Sequence, residues 1–273
     1  MSWHDGLIIS PNSLRNLDAI HKSLPHSTII AGPLGIGTLA ITRQLARSIT
    51  SDTMTIGHDD QTIKVSDVRD ISSYAKTKVA SSRIIIIDDA DRMTRSAQNA
   101  FLKMLEEPVS NAHFILTTHS PQSLLPTVRS RCQEVFLSPV DLAQTIKLID
   151  SLGEISQSAR SQISFVATGL PAEITRLSTD KSYLEQVSGD IDSVRTLLQG
   201  SLYDKIKLIQ SYKDSRAKSI ELLESSSLVI RRLLVSQPKT ELVNRLEGMI
   251  TASERIKLGG NVRLQLLHAA TLN

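Results

Sequence analysis

Apolar positions along the first half of the chain switch between two periods. Asn12 to Leu24 carries a helical spacing, and His26 to Ala31 (HSTIIA) reads as a strand. Thr38 to Ile49 places Leu39, Ile41, Leu45, Ala46 and Ile49 in helical spacing. Ser51 to Gln61 is polar and short of structure, and Thr62 to Val65 is expected as a short strand. Ser66 is the expected N-cap of a helix through Lys78, with Val68, Ile71 and Ala75 on one face. Arg83 to Asp88 (RIIIID) reads as a strand covered on both faces, because four consecutive isoleucines leave no polar side. Thr94 is a candidate cap for a helix whose apolar face is Ala97, Ala100, Phe101, Met104 and Leu105, with Pro108 beyond its end. His113 to Thr117 and Gln133 to Leu137 are two further strands.

After Pro139 the pattern is helical. Val140 to Leu152, Ile155 to Thr168 and Pro171 to Leu177 predict three short helices, with Gly169 breaking between the last two. From Asp180 onward the chain is helical again, with turn signals near Gly189, Gly200, Gln237-Pro238 and Gly259-Gly260. Alternating strands and helices predict an α/β fold with a parallel sheet, followed by all-helical segments. Boundaries are expected near 138 and 179, giving segments 1–138, 139–179 and 180–273.

Composition narrows the class. In 273 residues, 40% are hydrophobic and 22% charged, which fits an ordered globular protein. No apolar run approaches the ~18 residues of a membrane span, and the N-terminal residues lack a basic segment followed by an apolar one. With a single cysteine, Cys132, an internal disulfide and a multi-cysteine zinc site are both excluded. The expected location is the cytoplasm. The net charge of +3 allows a nucleic-acid neighbour, while 3% aromatics leave few stacking platforms. Lys205, Lys207, Lys213, Arg216 and Lys218 form a basic stretch that faces solvent, DNA or a partner.

Three motifs carry candidate chemistry. Gly32-Pro33-Leu34-Gly35-Ile36-Gly37-Thr38-Leu39 lies between a strand and a helix, like a phosphate-binding loop, G-x-x-x-x-G-K-[ST]. Its lysine position holds Thr38 and its metal-binding position holds Leu39. Thr38 cannot supply the charge on the phosphates, and Leu39 cannot ligate Mg²⁺. Losing a charge-assisted contact costs roughly 1.5–3 kcal/mol. The stretch is either a degenerate nucleotide site or a glycine-rich turn. Asp88 and Asp89 end the isoleucine strand where a Walker B motif places a metal-orienting acid and a water-activating one, the latter normally Glu. Asp89 is a methylene shorter. Ser130-Arg131-Cys132 sits in a loop before the fifth strand. The histidines are scattered without metal-ligand company, and Cys132 reads as a packing residue, since no His/Asp pattern surrounds it.

Taken together, the stretch Ile84 to Asp91, the stretch Ala97 to Pro108 (AQNAFLKMLEEP) and Ser130-Arg131-Cys132 resemble the bacterial DNA polymerase III clamp-loader family, whose signatures include N-A-L-L-K-x-L-E-E-P and S-R-C. Val65 to Arg69 and Asn261 to Leu267 are similar to further segments of it. The resemblance is strong over residues 26–137 and is one of pattern beyond. It implies an AAA+ P-loop domain with a parallel sheet, a small helical lid and an all-helical collar that assembles subunits.

Within the family the chain resembles the delta-prime branch, which need not hydrolyse ATP. The sensor-1 position falls on His119, beside Thr118, and the lid motif G-S-x-R reads Gly169-Leu170-Pro171-Ala172, placing Ala172 where an arginine stands in the ATPases. The zinc cysteines of many relatives are absent. The resemblance implies a degenerate nucleotide site at Gly32, Gly35, Gly37, Thr38, Asp88 and Asp89, with weak or no ATP binding, no zinc and no hydrolysis. It also implies that Arg131 acts in trans on a neighbour's ATP, a role worth roughly 10³–10⁵ in rate in GTPases. Arg129 either supports that interface or is solvated. The implied partners are gamma/tau and delta subunits in a hetero-oligomeric ring, with the sliding clamp and primer-template DNA reached through it, and no membrane. Two other readings remain: an active gamma/tau-type ATPase, and an interaction protein that reuses the fold outside replication.

Overall fold

A computed structural model describes residues 2–57, 62–77, 82–107, 109, 111–153, 155–236 and 238–272. Lys78, Pro108, Gln237 and the 58–61 part of the expected polar stretch lie outside the described residues. The chain divides into two compact units, Met1–Asp180 and Lys181–Asn273.

In order, the first unit runs α1 (Pro11–Lys22), β1 (Ser27–Ala31), α2 (Thr38–Ile49), β2 (Thr53–Ile56), α3 (Val65–Lys76), β3 (Arg83–Ile87) and α4 (Arg95–Glu106). It continues with β4 (Ala112–Thr118), α5 (Pro126–Arg129), β5 (Gln133–Phe136), α6 (Leu142–Ser151), α7 (Gln157–Ala167) and α8 (Pro171–Thr179). Among the described residues the strands form one parallel sheet in the order β2-β3-β4-β1-β5. The α/β class expected from the pattern is the observed one.

The isoleucine run explains how the layers hold. Side chains alternate across a strand, so Ile84 and Ile86 join the core under α1 and α2, with Leu17, Ile20, Ile41 and Leu45. Ile85 and Ile87 join the opposite core, with Ile71, Phe101 and Phe114. Both faces are buried, as a parallel strand flanked by helices requires. Thr94 caps α4, its hydroxyl accepting the Ala97 N–H at 3.1 Å.

The region between α2 and β3 differs from expectation. A strand lies at Thr53–Ile56, inside the stretch read as structureless, and Thr62 to Val65 is not a strand. Pairing with β3, from Thr53 opposite Ile84 to Ile56 opposite Ile87, makes β2 a half-exposed edge that needs no apolar pattern. Ile63 makes only an isolated bridge to Met93. Val65 already begins α3, because the Asp67 carboxylate accepts the Lys64 N–H at 2.7 Å; the cap lies at Lys64 rather than Ser66.

The second unit contains α9 (Lys181–Gln199), α10 (Leu202–Tyr212), α11 (Arg216–Ser236), α12 (Thr240–Lys257) and α13 (Val262–Thr271). Its own core includes Val194, Leu197, Ile209, Leu223, Ile230, Met249, Ile256 and Leu266. No helix among the described residues is long and apolar enough to cross a membrane.

One polar cluster anchors the start of β3. Arg83 is only 5% exposed. Its Nε donates to Asp52 at 2.9 Å, and its guanidinium lies 3.9 Å over the Tyr74 ring. The Tyr74 hydroxyl also donates to Asp52. The Arg83 and Tyr74 hydrogen bonds hold the Asp52 carboxyl below the usual carboxylate range, against a smaller opposing effect of burial. A depressed folded pKa stabilises the protein above the unfolded value of about 3.9 and stops doing so as pH falls through the folded value. Asp52→Asn is therefore expected to lower unfolding free energy by about 2–3 kcal/mol at neutral pH. In urea titrations the gap to wild type narrows as pH falls through the carboxylate range.

Candidate functional site

The glycine-rich turn forms as its sequence requires. Gly35 and Gly37 have φ of +83° and +93°, a left-handed backbone that glycine adopts without strain. Gly37 is the N-cap of α2, which starts at Thr38 as expected. Thr38, at the lysine position, is buried and 3% exposed. Leu39, at the metal-ligand position, packs against the core under α1 and α2. Thr38 is thus withdrawn from solvent, and Leu39 is half-buried and offers no oxygen to a metal.

The turn is instead engaged by the start of α8. The Glu173 N–H donates to the Gly35 carbonyl at 2.9 Å. A Cβ added at Gly35 would meet the Glu173 Cβ at 2.8 Å, and one at Gly37 would meet the Ala172 Cβ at 3.2 Å. Ala172, expected at the sensor-2 position, thus lies directly against the loop and brings no positive charge. Glu173 brings a negative one. This contact is also why the three short helices α6, α7 and α8 belong with the sheet in the first unit.

The strand-end acids sit beside the turn. Asp88 is buried and accepts the Thr117 hydroxyl, which also receives the Asp89 N–H at 3.1 Å. Asp89 has a φ of 45°, with its carboxylate 3.5 Å from His119 Nε2 and 3.4 Å from Arg92 Nη1. Burial, and then the nearby Asp88, push the Asp89 carboxyl up from its ordinary value, with His119 opposing. His119 Nδ1 lies 2.8 Å from the Gly32 carbonyl. A carbonyl only accepts, so Nδ1 carries the hydrogen. His119 therefore joins the glycine-rich turn to the acid expected to activate water. Thr118 turns away and donates to Asp91 at 2.6 Å.

Arg131 lies apart from this cluster, and the residues flanking it explain the S-R-C pattern. Ser130 closes α5, its N–H donating to Pro126 O at 2.9 Å. Cys132 packs against the core, and burial pushes its thiol up to about 11, so it is a protonated packing group at neutral pH. The Ser27 hydroxyl holds the Arg131 carbonyl at 2.6 Å. With its backbone fixed, Arg131 extends a side chain that is 38% exposed and contacts Glu106 at 2.9 Å and Thr127 O at 3.0 Å. Arg129 is committed within the chain: its Nε and Nη2 grip both oxygens of Glu134, at 2.7 and 3.2 Å.

Residues 41–141 match the family described as DNA polymerase III, delta subunit. The replication factor C small subunit of Methanococcus maripaludis is 24% identical over 278 residues, covering 90% of this chain and 86% of that protein. The DNA polymerase III subunit delta' of Pseudomonas aeruginosa is 29% identical over 143 residues, covering 51% of this chain and 43% of that one. A solved DNA polymerase III gamma subunit-related protein from Thermotoga maritima superposes with a TM-score of 0.55 at 18% identity, over 95% of this chain and 97% of that chain. That last likeness is one of fold.

Over residues 41–141 the chain is thus similar to the DNA polymerase III, delta subunit family, and over most of its length to replication factor C small subunits.

ATP with Mg²⁺ is the ligand of the motifs that this turn resembles, and Thr38 and Leu39 supply neither the charge nor the metal-binding oxygen of those motifs. The turn lacks a lysine, its metal-ligand position holds a half-buried leucine, and the Glu173 backbone contacts its Gly35 carbonyl with a carboxylate alongside. Among the described residues no group of three or more His, Cys, Asp or Glu is placed to hold a metal. Three contributors escaped the sequence reading. Thr117 holds both strand-end acids, two residues before the sensor-1 position read at His119. Glu173 and Glu106 are distant in sequence from the groups they touch, and nothing local marks either one.

The basic stretch of the second unit is not a single free face. Lys205 Nζ donates to Ala270 O at 2.8 Å, and burial, with Arg245 nearby, lowers its pKa. Arg216 donates to Ile256 O, and to Gly260 O at 3.3 Å. Cations at these chain ends satisfy carbonyls that the helices leave open. Lys207, Lys213 and Lys218 are exposed.

Gly35→Ala tests the seat of α8. Gly6 has nearly the same φ, +84°, with nothing near its missing Cβ, so Gly6→Ala measures backbone strain alone. Gly35→Ala is expected to lower thermal stability by at least about 1 kcal/mol more than Gly6→Ala. Equal losses would contradict the contact.

Proposed function

We propose that this chain is a non-hydrolysing subunit of a DNA polymerase III clamp loader, of the delta-prime type. It helps load the sliding clamp on primed DNA and supplies Arg131 to the ATP site of a neighbouring gamma/tau-type subunit. The observation that carries the reading is a contrast within one unit. The chain's own phosphate loop is capped by its α8 backbone and lacks both its cation and its metal ligand. The arginine that would serve a neighbour is anchored by its backbone and partly exposed.

The chemistry expected of Arg131 is electrostatic. A guanidinium placed against a γ-phosphate stabilises charge that spreads over its oxygens in the transition state. The subunit needs no nucleotide or zinc of its own for that. Its partners are gamma/tau and delta subunits in a hetero-oligomeric ring working in the cytoplasm. Gly32, Gly35, Gly37, Thr38, Asp88 and Asp89 then form a structural joint that has kept the shape of a nucleotide site.

The test is ATP turnover by the complex reconstituted from this chain with its gamma/tau-type and delta partners. Arg131→Ala is expected to suppress hydrolysis at the one site it faces by roughly 10³-fold or more, seen as loss of that site's share in single-turnover measurements. Unchanged partner turnover removes the trans role. Mg-dependent turnover by the isolated chain would instead favour an active ATPase, and failure to co-assemble would favour a role outside replication.

A further inference from the structure

Glu106 and its neighbour Glu107 stand at the end of α4, where the helix dipole disfavours negative charge. Two acids there break a local rule. A broken rule of this kind marks either a compensating partner or a functional site. Glu106 has such a partner: its Oε1 lies 2.9 Å from Arg131 Nη2.

We propose that Glu106 is the positioning residue for the Arg131 guanidinium, an inference that rests on the trans role given to Arg131 above. The geometry is that of a brace. Nη1 donates to the Thr127 carbonyl at 3.0 Å and Nη2 to Glu106, so the two terminal nitrogens are held from different elements. Neither contact uses Nε. The platform behind Glu106 is rigid. Thr94 caps the start of α4, and Phe101, Met104 and Leu105 bury its face. His26 lies 3.2 Å from Met104 O and 3.0 Å from Ala112 O, joining the end of α4 to the sheet.

An unbraced arginine loses rotamer entropy when a partner immobilises it. Holding it in advance removes much of that cost from the encounter. The stability of the fold does not explain the pair. Both side chains are partly exposed, 38% and 51%, and exposed pairs of this kind contribute little to folding. Arg129 shows the alternative arrangement: its bidentate grip on Glu134 spends the guanidinium inside the chain, whereas Arg131 is steered but left open.

The experiment is a double-mutant cycle in the reconstituted complex with its gamma/tau-type and delta partners. Clamp- and primed-DNA-dependent ATP turnover is read at the site that Arg131 serves. Glu106→Ala is expected to lower kcat there by about tenfold, with KM within about twofold, because the lost contact acts in the transition state. Glu106→Gln, which keeps an acceptor oxygen, recovers part of the loss. In the Arg131→Ala background Glu106→Ala changes nothing further, and the melting temperature of the isolated chain is unaltered. An unchanged kcat in Glu106→Ala, with Arg131→Ala still impaired, overturns the positioning role and leaves the trans role standing. A further loss in the Arg131→Ala background overturns it in favour of a structural role. An unimpaired Arg131→Ala overturns the trans role and this proposal with it.

Discussion

The hydrogen bond from the Glu173 N–H to the Gly35 carbonyl fixes the character of this chain's nucleotide side. It exists because Gly35 takes a left-handed conformation and has no Cβ to obstruct α8. The contact seats Ala172 and Glu173 on the turn, joins the short helices to the sheet in one compact unit, and sets a carboxylate beside an anion cradle. A phosphate bound there would lie beside the Glu173 carboxylate, with no lysine in compensation. His119 adds a second tie, from Gly32 to Asp89. Under the function proposed above, Thr38 in place of lysine, Leu39 in place of a metal ligand and Ala172 in place of arginine make this turn a structural joint.

The S-R-C segment followed the opposite course. Ser130, Cys132 and Ser27 fix its backbone, and Arg131 is presented outward on a brace. The two regions belong to one unit, yet they answer to different demands. One had to close. The other had to remain available. The division of labour proposed between subunits is, at the level of side chains, the division between Thr38 and Arg131.

Much of the first unit was legible because its signals are local. Four isoleucines in a row admit a strand buried on both faces, and the cores on either side of β3 divide them as the pleat demands. Glycines followed by a helical pattern announce the turn and α2, and Thr94 marks the start of α4. The errors lie where a longer-range partner decides. β2 is a strand because β3 pairs with it, and Thr-Met-Thr-Ile carries no pattern of its own. Residues 62–65 alternate like a strand, but Asp67 starts a helix there instead. At the site, the positions of Gly35, Asp88, Asp89, His119 and Arg131 were legible from motifs. Their partners Glu173, Thr117 and Glu106 were not, because each contact crosses dozens of residues or depends on a rotamer. The basic stretch of the second unit shows the same limit: only the fold reveals that Lys205 and Arg216 close helix carbonyls.

The central claim is that α8, seated on the rim of this phosphate loop, and the missing lysine leave it without ATP. Equilibrium binding of ATP with Mg²⁺ to the isolated protein tests it most directly. The account predicts no saturable binding up to about 1 mM nucleotide, an affinity weaker than about −4 kcal/mol. Saturable binding at micromolar concentrations, abolished by Gly37→Ala, would contradict it.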